Sequence, residues 1–296
     1  MVDATILIPT YRHAALLPYS IRSALAQEGV SIEVFVVGDG VENATRTALE
    51  PFLSDNRMRF FDFPKGAGNG ELSRHQVVQK ATGKIVCYLS DDDLLLRDHA
   101  AEMARLLEDA DFAHSAPVVV MPNGSLDYRP FDIARPEFRK LLLRGGWNRI
   151  SLTGAAHTMP FYRGLPYGWR PAPPGVWSDL HMWQQFLRQP VIRARTAIRL
   201  THLHLADQDR RDVPAAERVA ELEGWWLRIQ EPGFPDDLAG KLASLAREAS
   251  IRREARIHEL KDVIRGIQAT RWWRFRTWLA VSSPLRNFAA GGRKHR

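Results

Sequence analysis

The sequence predicts an α/β fold, a Rossmann-like and mostly parallel sheet flanked by helices, followed by a helical extension. The apolar runs of strand length are residues 4–8, 31–37, 58–63 and 84–89. The segments with apolar side chains at helical spacing lie between those runs, at residues 12–27, 43–53 and 70–81. Strands that alternate with helices are typical of a parallel sheet, since each helix returns the chain to the sheet's starting edge.

The composition is that of a globular protein, with 45% hydrophobic and 25% charged residues among 296. The fourth strand is apolar throughout, which favours burial on both of its faces. It contains Cys87, the only cysteine of the sequence, so no internal disulfide can form. A reducing cytoplasm fits this cysteine count best.

The basic character of the chain is concentrated at its end. Residues 251–296 hold twelve Lys and Arg against three Asp and Glu, whereas the rest of the sequence holds 29 against 31. This split argues against nucleic acid as a partner of the whole protein. We therefore predict two parts, a globular domain at residues 1–213 and a helical, basic extension at residues 214–296.

The extension has two features that predict a surface contact. Ile257, Leu260, Ile264 and Ile267 recur at coiled-coil spacing, and residues 271–279 interleave aromatic side chains with arginines. The second pattern suits an anionic membrane surface, and the alternative is a helix packed on the body or on a second subunit. With no export signal and no long apolar stretch, the expected location is cytoplasmic or peripheral on the inner face of the cell membrane.

The polar and glycine-rich segments of the first part follow its predicted strands. They are Pro9-Thr10-Tyr11-Arg12, Gly38-Asp39-Gly40, the loop at residues 65–70 and Ser90-Asp91-Asp92-Asp93. Parallel sheets bind ligands beyond the carboxyl ends of their strands. We expect these segments to form one binding edge.

Three consecutive carboxylates, Asp91, Asp92 and Asp93, are the strongest signal at this edge. Their mutual repulsion is relieved when a divalent cation lies against them. Mn²⁺ and Mg²⁺ prefer carboxylate oxygens and bridge to substrate phosphates. The alternative interpretation is a solvated acidic turn that caps the next helix.

Two further side chains fit a phosphorylated ligand. Asp39 can accept hydrogen bonds from a base or ribose, and Arg74 can pair with a diphosphate through two bonds. The alternatives are an ordinary Asp-Gly turn for Asp39 and a surface arginine for Arg74.

Taken in order, these segments resemble family 2 glycosyltransferases, which are inverting enzymes with the GT-A fold. The resemblance covers residues 4–205 and rests on the first strand with Pro9-Thr10-Tyr11, on Gly38-Asp39-Gly40, on Gly70 with Ser73-Arg74, and on Ser90-Asp91-Asp92-Asp93. It implies a nucleotide-sugar donor held by Pro9, Thr10, Tyr11, Arg12, Asp39, Gly70, Arg74, Asp91 and Asp92. It also implies Mn²⁺ or Mg²⁺ as the cofactor.

The sequence departs from the family pattern in both of its acidic strand-end motifs. Gly38 stands where the family has the first Asp of Asp-Asp-Gly-Ser, which leaves Asp39 to bind the base. Ser90 stands at the first position of the common Asp-x-Asp-Asp, so the metal ligand stays open among Asp91, Asp92 and Asp93.

The family's catalytic carboxylate corresponds to Asp179, in a segment where Ser178 replaces a glutamate and Trp183 follows. As general base, Asp179 takes the proton of an acceptor hydroxyl. The alternative role is an acid that stabilises the start of a helix. The resemblance also implies His204 as a contact of the metal or the diphosphate, and His157 as an acceptor contact. Trp177 is a third candidate, because an aromatic ring can stack on a sugar of the acceptor. The alternative for each of these three residues is a structural role, which for Trp177 is core packing.

The predicted function is transfer of a sugar, from a donor that is expected to be uridine-linked, to a hydroxyl of a glycan or lipid-linked glycan in cell-surface polysaccharide synthesis. A homo-oligomer and an anionic membrane are further predicted partners. The alternatives are a nucleotidyltransferase of similar sheet architecture and a non-catalytic module that binds membrane or nucleic acid.

Overall fold

The computed structural model describes residues 2–116, 118–129, 131–273 and 276. The strands are β1 (Ala4–Thr10), β2 (Ile32–Asp39), β3 (Met58–Phe63), β4 (Ile85–Tyr88), β5 (Leu94–Leu95), β6 (Phe112–Ser115), β7 (Val118–Val120), β8 (Leu126–Tyr128), β9 (Ala155–Thr158), β10 (Ala194–Ala197) and β11 (His202–His204). The α-helices are α1 (Leu17–Leu25), α2 (Asn43–Leu49), α3 (Glu71–Val78), α4 (His99–Leu106), α5 (Pro136–Arg144), α6 (Met159–Arg163), α7 (Ser178–Leu187), α8 (Ala215–Arg228) and α9 (Phe234–Ala269).

The central sheet has the order β10-β6-β9-β4-β1-β2-β3 among the described residues. All of its neighbouring strands are parallel except β9, which runs antiparallel between β4 and β6. The prediction of a mostly parallel sheet flanked by helices is therefore confirmed. A smaller sheet has the order β5-β11-β7-β8.

The two faces of the central sheet bury different side chains of the same strands. Along β1, Leu7 packs into one core with Trp183 and Phe186 of α7. Its neighbours Ile6 and Ile8 pack into the core on the other face. Successive side chains of a strand point to opposite faces, so a strand that is apolar throughout fits only the middle of a layered fold.

A third core joins the small sheet to the helices that follow it. Leu203 of β11 packs with Leu222 and Trp225 of α8 and with Phe234 and Leu238 at the start of α9. The first compact unit consequently runs to Leu242, and the predicted boundary at residue 213 falls inside it. The helix α8 completes this unit because its apolar stripe covers the small sheet.

The second compact unit begins at Ala243 and contains the rest of α9. Ile257, Leu260, Ile264 and Ile267 lie on this helix and are exposed. The predicted membrane or subunit contact of the extension stays a prediction. Most of its aromatic and basic segment at residues 271–279 lies outside the described residues. No helix in the described part of the chain has both the length and the apolar character needed to cross a bilayer.

Acid is expected to destabilise the fold through its buried histidines. Burial lowers the pKa of His99 to about 3 and of His114 and His157 to about 4, from the ordinary 6.5. Below pH 6.5 the unfolded chain binds protons that the folded chain refuses, so the free energy of unfolding falls as pH falls from 6.5 towards 4. Each such histidine contributes up to about 1.4 kcal/mol per pH unit in this window.

Urea unfolding at pH 7 and pH 5 measures this effect. The variant His157→Gln should show a smaller loss of stability between the two pH values than the wild type. His258→Gln, which changes an exposed histidine of α9, should match the wild type. An equal loss in His157→Gln and the wild type would contradict the assignment.

Candidate active site

The carboxyl ends of β1, β2 and β4 meet at one edge of the central sheet. Thr10 at the end of β1 pairs with Gly38 of β2, and Leu7 pairs with Tyr88 at the end of β4. A cavity of about 440 Å³ opens at this edge. The predicted donor residues that line it are Pro9, Thr10, Tyr11, Arg12, Asp39, Gly70, Arg74 and Asp91.

Asp39 is nearly buried in this cavity and is held by the loop that follows β3. Its Oδ1 accepts from the backbone N–H of Gly66 at 2.8 Å, and its Oδ2 accepts from Lys65 Nζ at 2.5 Å. Gly70 has φ +76°, and a Cβ there would lie 3.0 Å from Asp39 Cβ. Glycine thus serves both the left-handed backbone and the close approach. Sequence reasoning missed Lys65, although its place in the glycine-rich loop beside Asp39 was a usable signal.

Arg74, on α3, is buried beside the same cavity. Its guanidinium lies over the Trp169 ring at 4.2 Å and donates to the backbone carbonyl of Asn69 at 2.5 Å. Its Nε is buried and has no hydrogen-bond partner among the residues that the structure describes. Burial lowers the pKa of Arg74, against the attraction of Glu71. A buried donor without a partner is costly, which suits a ligand with anionic oxygens at this position.

The three predicted metal carboxylates have different surroundings. Asp93 is fully buried and accepts from His204 Nδ1 at 2.9 Å, from the Leu205 N–H at 2.7 Å and from Thr153 Oγ1. Burial alone would raise the pKa of Asp93, but His204 and these hydrogen bonds lower it overall. Asp93 and His204 therefore already satisfy each other.

Asp91 and Asp92 face partners that sequence reasoning did not identify. Asp91 accepts a hydrogen bond from His13 Nδ1 at 2.8 Å, and this bond raises the pKa of His13 to about 9. Asp92 lies 3.2 Å from the Arg218 guanidinium of α8 and does not line the donor cavity. Burial beside Asp93 and Asp91 raises the pKa of Asp92 to about 8, against the attraction of His13.

The residues around Asp92 fit a divalent cation. His13, Asp92 and Asp207 each offer one ligand atom, and these three atoms lie within 4.8 Å of one another. Carboxylate oxygens are the donors that Mn²⁺ and Mg²⁺ prefer. A cation also relieves the cost of burying Asp92 beside two other carboxylates. Of this set, only Asp92 was predicted from the sequence.

A second cavity, of about 320 Å³, adjoins the first. Leu152 and Asp207 line both cavities. Asp179, in the first turn of α7, lines it. Its Oδ2 accepts from Asn148 Nδ2 at 3.0 Å, and burial raises its pKa. A buried carboxylate with a raised pKa is suited to accept a proton. His204 and the half-exposed Trp177 line the same cavity.

The structure corrects the prediction that His157 contacts an acceptor. His157 is fully buried in β9, where its ring stacks on Tyr162 and its Nε2 bonds to the Tyr88 hydroxyl at 2.8 Å. It lines neither of the two cavities described above. The side chain packs in the core because β9 is an internal strand of the sheet.

Comparison with known proteins agrees with this geometry. The sequence model of Glycosyl transferase family 2 matches residues 5–163. The chain therefore belongs to this family of glycosyltransferases, and it has the GT-A fold that the resemblance implied.

Individual relatives match over parts of their length. The chain is 35% identical over 111 residues to the succinoglycan biosynthesis protein ExoO of Rhizobium meliloti, which covers 38% of this chain and only 30% of that protein. The structure of S. aureus TarS residues 1–349 in complex with UDP-GlcNAc is similar with TM-score 0.54 and 14% identity, over 69% of this chain and 58% of that one.

The mannosyltransferase PcManGT of Pyrobaculum calidifontis, in complex with GDP-Man and Mn²⁺, is similar with TM-score 0.50 and 17% identity, over 98% and 88% of the two chains. At such identities the likeness of the solved structures concerns the fold.

Proposed function

We propose that this chain is an inverting, metal-dependent glycosyltransferase that moves a sugar from a nucleotide diphosphate to an acceptor hydroxyl. The donor in this proposal is a UDP-sugar, and the acceptor is a glycan or lipid-linked glycan of cell-surface polysaccharide synthesis. The observation that carries the proposal is the adjacency of the two cavities. The cavity with Asp39, Arg74 and Asp91 adjoins the cavity with the buried carboxylate of Asp179.

The relatives support the donor class. TarS has been solved with UDP-GlcNAc and PcManGT with GDP-Man, so related folds hold nucleotide-sugars with different bases. Family membership favours a glycosyltransferase over the nucleotidyltransferase alternative. The relationship to ExoO supports a role in polysaccharide synthesis.

The residues of the donor cavity have separable roles. Asp39 accepts hydrogen bonds from the base or ribose, and Lys65 keeps its carboxylate in place. Arg74 directs its guanidinium charge at the diphosphate and stabilises the negative charge that develops as the glycosidic bond to phosphate breaks. Trp169, whose ring lies against that guanidinium, restricts its orientation.

Asp179 acts on the acceptor. It takes the proton of the acceptor hydroxyl while that oxygen bonds to the anomeric carbon and the diphosphate leaves with the electrons of the broken bond. Attack opposite the leaving group inverts the anomeric centre. Asn148 donates to Asp179 Oδ2 and so orients the carboxylate.

Asp92, His13 and Asp207 are the residues that would hold Mn²⁺ or Mg²⁺, with Asp91 beside them. When bound, such a cation neutralises charge on the leaving diphosphate as a Lewis acid. Asp93 and His204 position the acidic loop, because the two side chains are hydrogen-bonded to each other.

A thermal-unfolding panel of UDP, GDP, CDP and TDP, with and without Mn²⁺, tests the proposal. We expect UDP with Mn²⁺ to raise the unfolding temperature, because a ligand of the folded state stabilises it by about 2.7 kcal/mol at a hundred times its Kd. A chelator should remove the shift. If no nucleoside diphosphate raised the unfolding temperature with either Mn²⁺ or Mg²⁺, the proposed function would be wrong.

The variant Asn148→Ala is expected to shift the pH dependence of transfer. In the wild type, the hydrogen bond from Asn148 favours the charged form of Asp179. The loss of this bond therefore raises the pKa of Asp179 further. A base works only when deprotonated, so the acid limb of kcat/KM should move to higher pH. Asn43→Ala, on the surface of α2, serves as control. An unchanged acid limb in Asn148→Ala would separate Asn148 from the base.

A further inference from the structure

Two arginines line the cavity that contains Asp179. Arg129 follows the end of β8, and Arg149 lies in the segment before Ile150, so two separate parts of the chain bring guanidinium groups to one cavity. Asn148, which holds the Asp179 carboxylate, is the direct neighbour of Arg149. The two guanidinium groups and the proposed base therefore line the same cavity.

The two arginines are not neutralised by carboxylates to the same extent. Arg129 pairs with Asp127 through Nε at 2.7 Å, and its terminal nitrogens donate no hydrogen bond to any described residue. Arg149 forms no ion pair with any described residue and lies 5.7 Å from the Trp147 ring. Burial lowers the pKa of Arg149, and the like charge of Arg129 adds to this effect. The two partly buried arginines have one paired carboxylate, that of Asp127, so their charge is not fully neutralised. This imbalance favours the binding of an anion.

The acidic side chains of this cavity pair with groups other than the two arginines. Asp207 pairs with Arg218 at 2.8 Å, and Asp179 is held by Asn148 and by the N–H of Leu180. Neither carboxylate forms an ion pair with Arg129 or Arg149 among the described residues. The cavity thus presents guanidinium charge that an incoming ligand can match.

We infer that the acceptor of this enzyme carries a phosphate group, which Arg129 and Arg149 bind while Asp179 faces the hydroxyl that is glycosylated. A phosphate has a charge between about −1.5 and −2 at pH 7 and three acceptor oxygens, which matches two guanidinium groups better than a carboxylate does. The inference rests on the proposed function, since it names the class of acceptor for the same site.

Calorimetric titration of the full chain with phenyl phosphate tests the inference, with the donor cavity saturated by UDP and Mn²⁺. Phenyl phosphate should bind, and benzoate and benzyl alcohol should bind at least about tenfold more weakly. Arg149→Gln and Arg129→Gln should each weaken phenyl phosphate about tenfold or more, while Arg149→Lys retains part of the affinity because it keeps the charge. Arg144→Gln, at the exposed end of α5, is the matched control.

The outcomes are distinct from those of the donor test. UDP affinity should be the same in all four variants and in the wild type. If the wild type did not bind UDP at all, the proposed function itself would be contradicted. With UDP binding intact, equal affinity for phenyl phosphate and benzoate would overturn the assignment of phosphate. Unchanged binding of phenyl phosphate in both glutamine variants, or none in the wild type, would overturn the arginine site.

Discussion

Asp179→Asn is expected to abolish sugar transfer while leaving UDP and Mn²⁺ binding unchanged. Asparagine has nearly the same shape as aspartate but accepts no proton at neutral pH. A positioned base contributes on the order of 10² to 10⁴ in rate, so kcat should fall by about that factor. Initial rates of UDP release in the presence of acceptor measure this loss, and thermal shifts with UDP measure donor binding in the same preparation.

Asp109→Asn provides the matched control, since Asp109 is an exposed carboxylate that pairs with Arg195 on the surface. It should retain wild-type turnover. Transfer by Asp179→Asn at more than a tenth of the wild-type rate would remove Asp179 from the role of base. Loss of UDP binding together with turnover would instead point to a structural role in the first turn of α7.

Asp92→Asn is expected to remove the response of UDP binding to Mn²⁺. The side chain belongs to the group of three ligand atoms within 4.8 Å, and an amide oxygen is a much weaker ligand than a carboxylate. We expect the Kd of UDP in Mn²⁺ to rise by on the order of 10²-fold, which corresponds to about 2.7 kcal/mol of lost charge stabilisation. Titration calorimetry with and without a chelator measures the change.

The unfolding temperature of the ligand-free protein should be retained in Asp92→Asn, because burial already disfavours the charged form of Asp92 and asparagine resembles the neutral form. Asp212→Asn, at an exposed position before α8, is the control and should keep the full Mn²⁺ response. A normal Mn²⁺ response in Asp92→Asn would shift the proposed ligand set towards Asp91. Unfolding of the variant at room temperature would show instead that the Asp92–Arg218 pair is structural.

The sequence was informative where periodicity and strand ends decide the structure. The runs of residues 4–8 and 31–37 lie within or largely overlap β1 and β2, because a parallel sheet buried on both faces requires continuous apolar strands. The run of residues 58–63 coincides with β3, the edge strand of the sheet. The same logic predicted that Asp39 and Asp91 would share one edge. The predicted helix at residues 12–27 begins later, at Leu17, with Pro18 in its first turn. This placement leaves His13 in the loop beside Asp91.

Contacts between distant parts of the chain could not be predicted in this way. Arg218 and Asp92 are 126 residues apart, and nothing local in α8 indicates that one of its arginines reaches the acidic loop. The prediction for His157 was wrong for a similar reason. A strand as short as Ala155–Thr158 has too few residues for its periodicity to reveal an internal, antiparallel position between β4 and β6.

Arg218 links the packing of α8 to the charge of the acidic loop. One side of α8 seals the small sheet through Leu222 and Trp225, while its Arg218 supplies positive charge to Asp92 and Asp207. A single helix thereby ties the integrity of the hydrophobic interior to the electrostatic balance of the acidic loop. If α8 were displaced, the fold would be weakened and the acidic loop would lose the positive charge of Arg218. Substitutions that disturb the packing of α8 should therefore also change how the loop binds cations.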